Sequence, residues 1–115
     1  MATKFNWTTG PISSSQGFDN VRILILNNTS SRRQATVRLY DLSRTPKRKV
    51  FDEAFSLAPF ETAEITIADT GNLTRWEAQG SAFSQSVRFY VAGRDGDMNL
   101  TGNTVLNSEF KRFGS

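Results

Sequence analysis

The stretch QATVRLYDL, residues 34–42, decides the fold class. Ala35, Val37 and Leu39 fall on one side of it, and Thr36, Arg38 and Tyr40 on the other. A period of two over this length is a strand with one dry face and one wet face. Working outward, NVRILILNN (20–28) sets Val21, Ile23 and Ile25 against Leu24 and Leu26. Its β-branched residues and short length make it a largely buried strand. VFDEAFSL (50–57) lines up Phe51, Phe55 and Leu57, with Glu53 the exception on that face. AEITIAD (63–69) turns Ala63, Ile65 and Ile67 inward and Glu64 and Thr66 outward. LTRWEAQ (73–79) is a less regular strand carrying Trp76, and SVRFYVAG (86–93) aligns Val87, Phe89 and Val91. LTGNTVLNSEFKRF (100–113) closes the chain, most apolar at Val105 and Leu106. Turn residues separate these runs at intervals of about ten, and no segment sustains a helical period. The pattern predicts an all-β fold, an antiparallel β-sandwich of about seven strands, jelly-roll or immunoglobulin-like. The expected inward set is Val21, Ile23, Ile25, Val37, Leu39, Ile65, Ile67, Phe89 and Val91.

Residues 1–17, MATKFNWTTGPISSSQG, read differently. Gly10-Pro11 and the serine run argue against regular structure there. The segment is expected to be an extended N-terminal arm, with the sandwich domain spanning 18–115. Phe5, Trp7 and Ile12 are the arm residues expected to insert into a neighbour, because an extended segment can pair with an open sheet edge. A chain of 115 residues is enough for one domain with its own core. It contains neither cysteine nor histidine. That removes thiolate and imidazole chemistry, so no catalytic, metal or cofactor site is expected. The N-terminus lacks an apolar h-region and no run reaches ~20 apolar residues, so synthesis in the cytoplasm without a membrane span is expected.

Three stretches bear on function. RDGDMN (94–99) alternates Asp95, Asp97 and Asn99 like the start of a calcium loop. Counted from Asp95, however, the sixth and twelfth positions are Leu100 and Leu106 rather than Gly and Glu. Asp95-Gly96 reads instead as a hairpin turn, with a weak, non-helical calcium site as the alternative. Arg44, Lys47, Arg48 and Lys49 form a basic run, which Arg32 and Arg33 would join if both loops share one end of the sandwich. Together these would be a polyanion patch. The net charge of +3 is mild, no aromatic interrupts the run, and nucleic acid is not expected. The aromatics, Phe51, Phe55, Phe60, Trp76, Phe83, Phe89 and Tyr90, are core or cross-strand pairs by their spacing, with a sugar-stacking platform as the alternative. Glu61, Glu64 and Glu77 are carboxylates that the sequence does not bring together.

The C-terminal third, SVRFYVAGRDGDMNLTGNTVLNSEFKRF, carries Gly93, Arg94 and Asp95, a turn, a second strand, and then Ser108-Glu109 before an aromatic. This arrangement resembles the ending of small single-domain proteins of spore-forming bacteria, and the overall plan is similar to subunits of endospore appendages and related surface fibres. The resemblance implies a non-enzymatic structural subunit whose partner is itself, assembling through strand or arm exchange at a spore or cell surface reached after mother-cell lysis. Appendage subunits crosslink through cysteines in the arm, and this chain has none, so assembly would rest on strand addition and packing. The alternative expectation is a sandwich module that binds carbohydrate or an anionic surface polymer.

Overall fold

The computed structural model describes residues 4–43, 45–67, 73–96 and 98–113. Of the described residues 64% are in strands, and two antiparallel sheets pack into a β-sandwich. The elements in chain order are β1 (Phe5–Thr8), β2 (Ile12–Ser13), β3 (Asn20–Asn27), β4 (Arg33–Asp41), β5 (Arg48–Leu57), β6 (Thr62–Ile67), β7 (Arg75–Ala82), β8 (Val87–Asp95), β9 (Met98–Val105) and β10 (Lys111–Arg112). A 3-10 turn at Asn107–Glu109 precedes β10. One sheet runs β10-β1-β7-β4-β5, with β2 also paired to β7, and the other runs β6-β3-β8-β9.

Alternation sets which side chains reach the core. Val21, Ile23 and Ile25 of β3, Ala35, Val37 and Leu39 of β4, and Val87, Phe89 and Val91 of β8 are all buried. Ile65 and Ile67 point inward as expected, yet they are only half-buried, because β6 is an edge strand with a neighbour on one side. The 73–79 stretch, irregular in sequence, is the start of β7, which lies inside the first sheet between β1 and β4. Trp76 is fully buried there and stacks on Phe18 with ring centroids 5.7 Å apart. Both faces of β7 are buried, which hides its alternation from a sequence reading.

The main correction concerns the N-terminus. Residues 5–8 form β1, inserted between β7 and β10, with Phe5 opposite Ala82 and Trp7 opposite Gly80. Ile12 pairs with Trp76 and is buried. The segment expected to be a free arm therefore belongs to the sandwich. Gly10, at φ +72, absorbs the bend between β1 and β2, a conformation glycine adopts without steric cost. The Gly-Pro step marks that bend rather than the absence of strands.

Candidate functional site

Of the expected arm residues, Ile12 is buried in the core of its own chain, Trp7 is half-buried and packs against that core, and Phe5 is half-buried beside Trp7. The Trp7 ring lies 5.5 Å from Phe89 and 6.1 Å from Phe5, and the Arg112 guanidinium covers the Phe5 ring at 4.7 Å. Donating β1 to a neighbour would empty the slot between β7 and β10.

The expected basic patch is divided. Arg32 and Arg33 stand where β4 begins, whereas Lys47, Arg48 and Lys49 stand beyond its other end, because Arg33 faces Leu57 and Asp41 faces Arg48 across the ladder. Eight strand steps separate the two groups, roughly 25 Å. Lys47 is already engaged: its Nζ donates to Glu77 Oε1 at 2.7 Å and lies 4.5 Å from the Tyr40 ring centre. Lys49 Nζ donates to Asp52 Oδ2 at 2.8 Å. Arg32 donates to Ser56 Oγ at 3.1 Å. Arg44 lies outside the described residues. A single polyanion patch is not assembled, since the two ends of β4 cannot meet.

Carboxylates are likewise kept apart. Glu64 pairs with Arg22 at 2.8 Å on the outer face of the second sheet, and Glu61 Oε1 accepts the Ala58 N–H at 2.7 Å in a turn. Glu77, on the outer face of the first sheet, accepts from Lys47, Thr8 and Gln79. Burial alone would push the Glu77 carboxyl up. The hydrogen bonds from Lys47, Thr8 and Gln79, with the Lys47 charge, more than offset it and hold the carboxyl below its ordinary value. A general acid near neutral pH needs the opposite shift. Glu77 anchors a cluster of polar contacts on the outer face of β7; further along the same face Ser81 donates to Asn6 Oδ1 at 2.8 Å.

At the β8–β9 hairpin, Asp95 is still paired, facing Met98, so the turn begins at Gly96, one step later than the expected Asp95-Gly96. Gly96 sits at φ +60, as the primed turns of hairpins demand. Its N–H donates to Asp19 Oδ2 at 3.1 Å, and Asn99 Nδ2 donates to the Tyr90 hydroxyl at 3.0 Å. Asp97 lies outside the described residues. Among the described residues no group of three or more metal-ligating side chains converges.

The feature with the clearest capacity for interaction is the β5 edge, which the sequence reading did not single out. β5 is ten residues long and, among the described residues, pairs only with β4. Phe51 and Phe55 face inward but stay half-exposed, and between them Glu53, opposite Val37, also faces inward and is exposed. Val50 is the extra residue of a bulge between Leu39 and Tyr40 and is 41% exposed. β9 forms the corresponding open edge of the other sheet, on the opposite side of the sandwich. A shallow, largely apolar groove of about 310 Å³ lies on the outer face of the second sheet, lined by Leu24, Leu26, Arg88 and Tyr90 among others.

No family model, curated protein or solved structure matches the chain.

Proposed function

We propose that this chain is a non-enzymatic structural subunit that associates with further copies through its open sheet edges, as the building block of a fibre or layer. The observation that carries this reading is β5, a ten-residue strand whose outer row of main-chain N–H and C=O groups meets no neighbouring strand among the described residues. Such an edge is a template for a further strand. Glu53 selects the mode of contact. Two β5 strands meeting antiparallel about Glu53 would set Phe51 against Phe55 but would also oppose two carboxylates on the same face, which is unfavourable. Pairing with the uncharged β9 edge, MNLTGNTV, meets no such repulsion. That contact is head-to-tail, and when its rotation does not close it generates a filament. The placement of such a fibre at a spore or cell surface rests on the resemblance of the C-terminal third.

Light scattering after size-exclusion chromatography, followed by electron microscopy, tests the reading. Large particles should form from the pure chain as concentration rises. Ala54→Lys with Ser56→Lys, both exposed on β5, should leave the domain folded and return it to monomer, because edge lysines oppose strand addition. A wild-type chain that stays monomeric at millimolar concentration sinks the proposal. Particles that persist unchanged in the double-lysine variant move the contact away from β5.

A further inference from the structure

Three inter-sheet connections run side by side at one pole of the sandwich. β7, β4 and β5 are neighbours in the first sheet, and β8, β3 and β6 are neighbours in the second. The links 83–86, 28–32 and 58–61 therefore cross in parallel, in that order. They are fastened to one another. The Asn27 N–H donates to Glu61 O at 2.9 Å and the Asn28 N–H to Ser86 O at 3.1 Å. The fully buried Asn27 side chain donates to the carbonyls of Ser31, Leu57 and Ala58 at 2.8, 3.1 and 3.0 Å. β1 begins and β10 ends at this same pole, since Phe5 faces Ala82 and the Phe113 N–H donates to Asn6 O at 3.0 Å.

Across the pole, in the strand order β10, β1, β7, β4, β5, stand Phe113, Lys4, Phe83, Arg32 and Phe60. The three phenylalanines are 39%, 46% and 62% exposed, and Lys4 and Arg32 are exposed between them. Glu61 is the acidic side chain on these links, and its carboxylate is occupied by the Ala58 N–H. Phe60 has a further peculiarity: it follows Pro59 at φ +60, a conformation that turns give to Gly or Asn and that costs a bulky residue energy. A turn that needs glycine instead holds an aromatic ring in water at its tip.

Apolar tips alternating with cations fit a surface that is apolar beneath an anionic layer. A second copy meeting pole to pole would oppose Arg32 and Lys4 with like charges. Single-stranded nucleic acid needs a groove that tracks its backbone, and these side chains stand on the links and strand ends of one pole. The geometry points to docking of this pole on a lipid bilayer bearing anionic headgroups, with Phe60 and Phe83 entering the interface and Lys4 and Arg32 meeting the phosphates. This inference is independent of the β5 edge, which runs along the side of the sandwich.

The test is co-sedimentation of the full chain with vesicles of phosphatidylcholine alone and of phosphatidylcholine with about a third phosphatidylglycerol. Binding should require the anionic lipid and fall as salt rises. Phe60→Asn with Phe83→Ser should weaken binding at least tenfold, by the apolar area withdrawn, and Arg32→Gln by about fivefold. Phe60→Gly alone is a second variant that suits the φ of the turn, and it should weaken binding by several-fold with the melting temperature held or raised. Absence of binding to anionic vesicles overturns the inference. So does equal binding by the wild type and the aromatic variants. Tight binding to single-stranded DNA without vesicle binding, or a change in oligomeric state caused by the aromatic variants, assigns the pole to a different partner and overturns it as well.

Discussion

Gly80→Ala should be a costly substitution although it adds one methyl group to a strand. Gly80 lies on the inward face of β7, between Trp7 of β1 and Val37 of β4. A Cβ there would sit 2.7 Å from Phe89 Cε1 and 2.8 Å from its Cδ1 and Cζ. Carbon atoms at rest prefer ~3.5–4.0 Å, so the ring would have to retreat by about 1 Å. It has nowhere to go: Phe89 is 2% exposed, with Trp7 at 5.5 Å on one side and Phe110 at 6.3 Å on another. Phe89 comes from the second sheet, so the glycine is the hole that receives its ring and fixes how the two sheets are spaced. Overpacking of this kind costs about 1–3 kcal/mol, which in a chain of this size lowers the melting temperature by roughly 4–12 °C. Thermal and urea unfolding of the variant measure it directly. Phe89→Leu should be destabilising alone, and the double variant should lose less than the sum of the two, because the smaller side chain makes room for the new methyl. Gly80→Ala with unchanged stability, or strict additivity with Phe89→Leu, would refute the reasoning.

Two further outcomes follow from the N-terminal strand and the polar contacts of Glu77. Deleting residues 1–13 should unfold the domain, and Trp7→Ala should cost about 2–3 kcal/mol, below the range for a fully buried Trp because the ring is half-buried; a deleted chain that keeps the wild-type circular dichroism and melting temperature would return these residues to the role of a dispensable arm. The Glu77 carboxyl is held below its ordinary value, so it protonates more readily unfolded than folded, and its stabilisation is present above about pH 4.3 and lost as pH falls through its folded value. Urea midpoints from pH 3 to 7 should therefore fall less steeply in acid for Glu77→Gln than for the wild type, with Asp52→Asn measured alongside, because the hydrogen bond from Lys49 lowers Asp52 in the same direction; an unchanged slope in Glu77→Gln would show that the Lys47–Glu77 contact contributes nothing.

The sandwich was legible in the sequence because one-face burial leaves a period of two, as in Ala35, Val37 and Leu39. The same rule explains the misreadings. β7 has buried residues on both faces, so RWEAQGSA shows no alternation and reads as marginal although it lies inside its sheet. Phe5 and Trp7 alternate correctly, but four residues followed by Gly-Pro are too few to register as a strand. Their partner β10 is two residues long and lies at the far end of the chain. Long-range pairing of this kind leaves no local trace. The basic residues were visible as a composition; whether Arg32 and Lys47 share an end depends on the direction of β4, and that direction separates them. Glu53 was visible as a break in the pattern of VFDEAFSL. Its meaning, a charge on the inner face of an edge strand, needed the strand order, since the same residue on a central strand would be a buried ion without a partner and would argue against the fold. On an edge it governs what β5 can pair with.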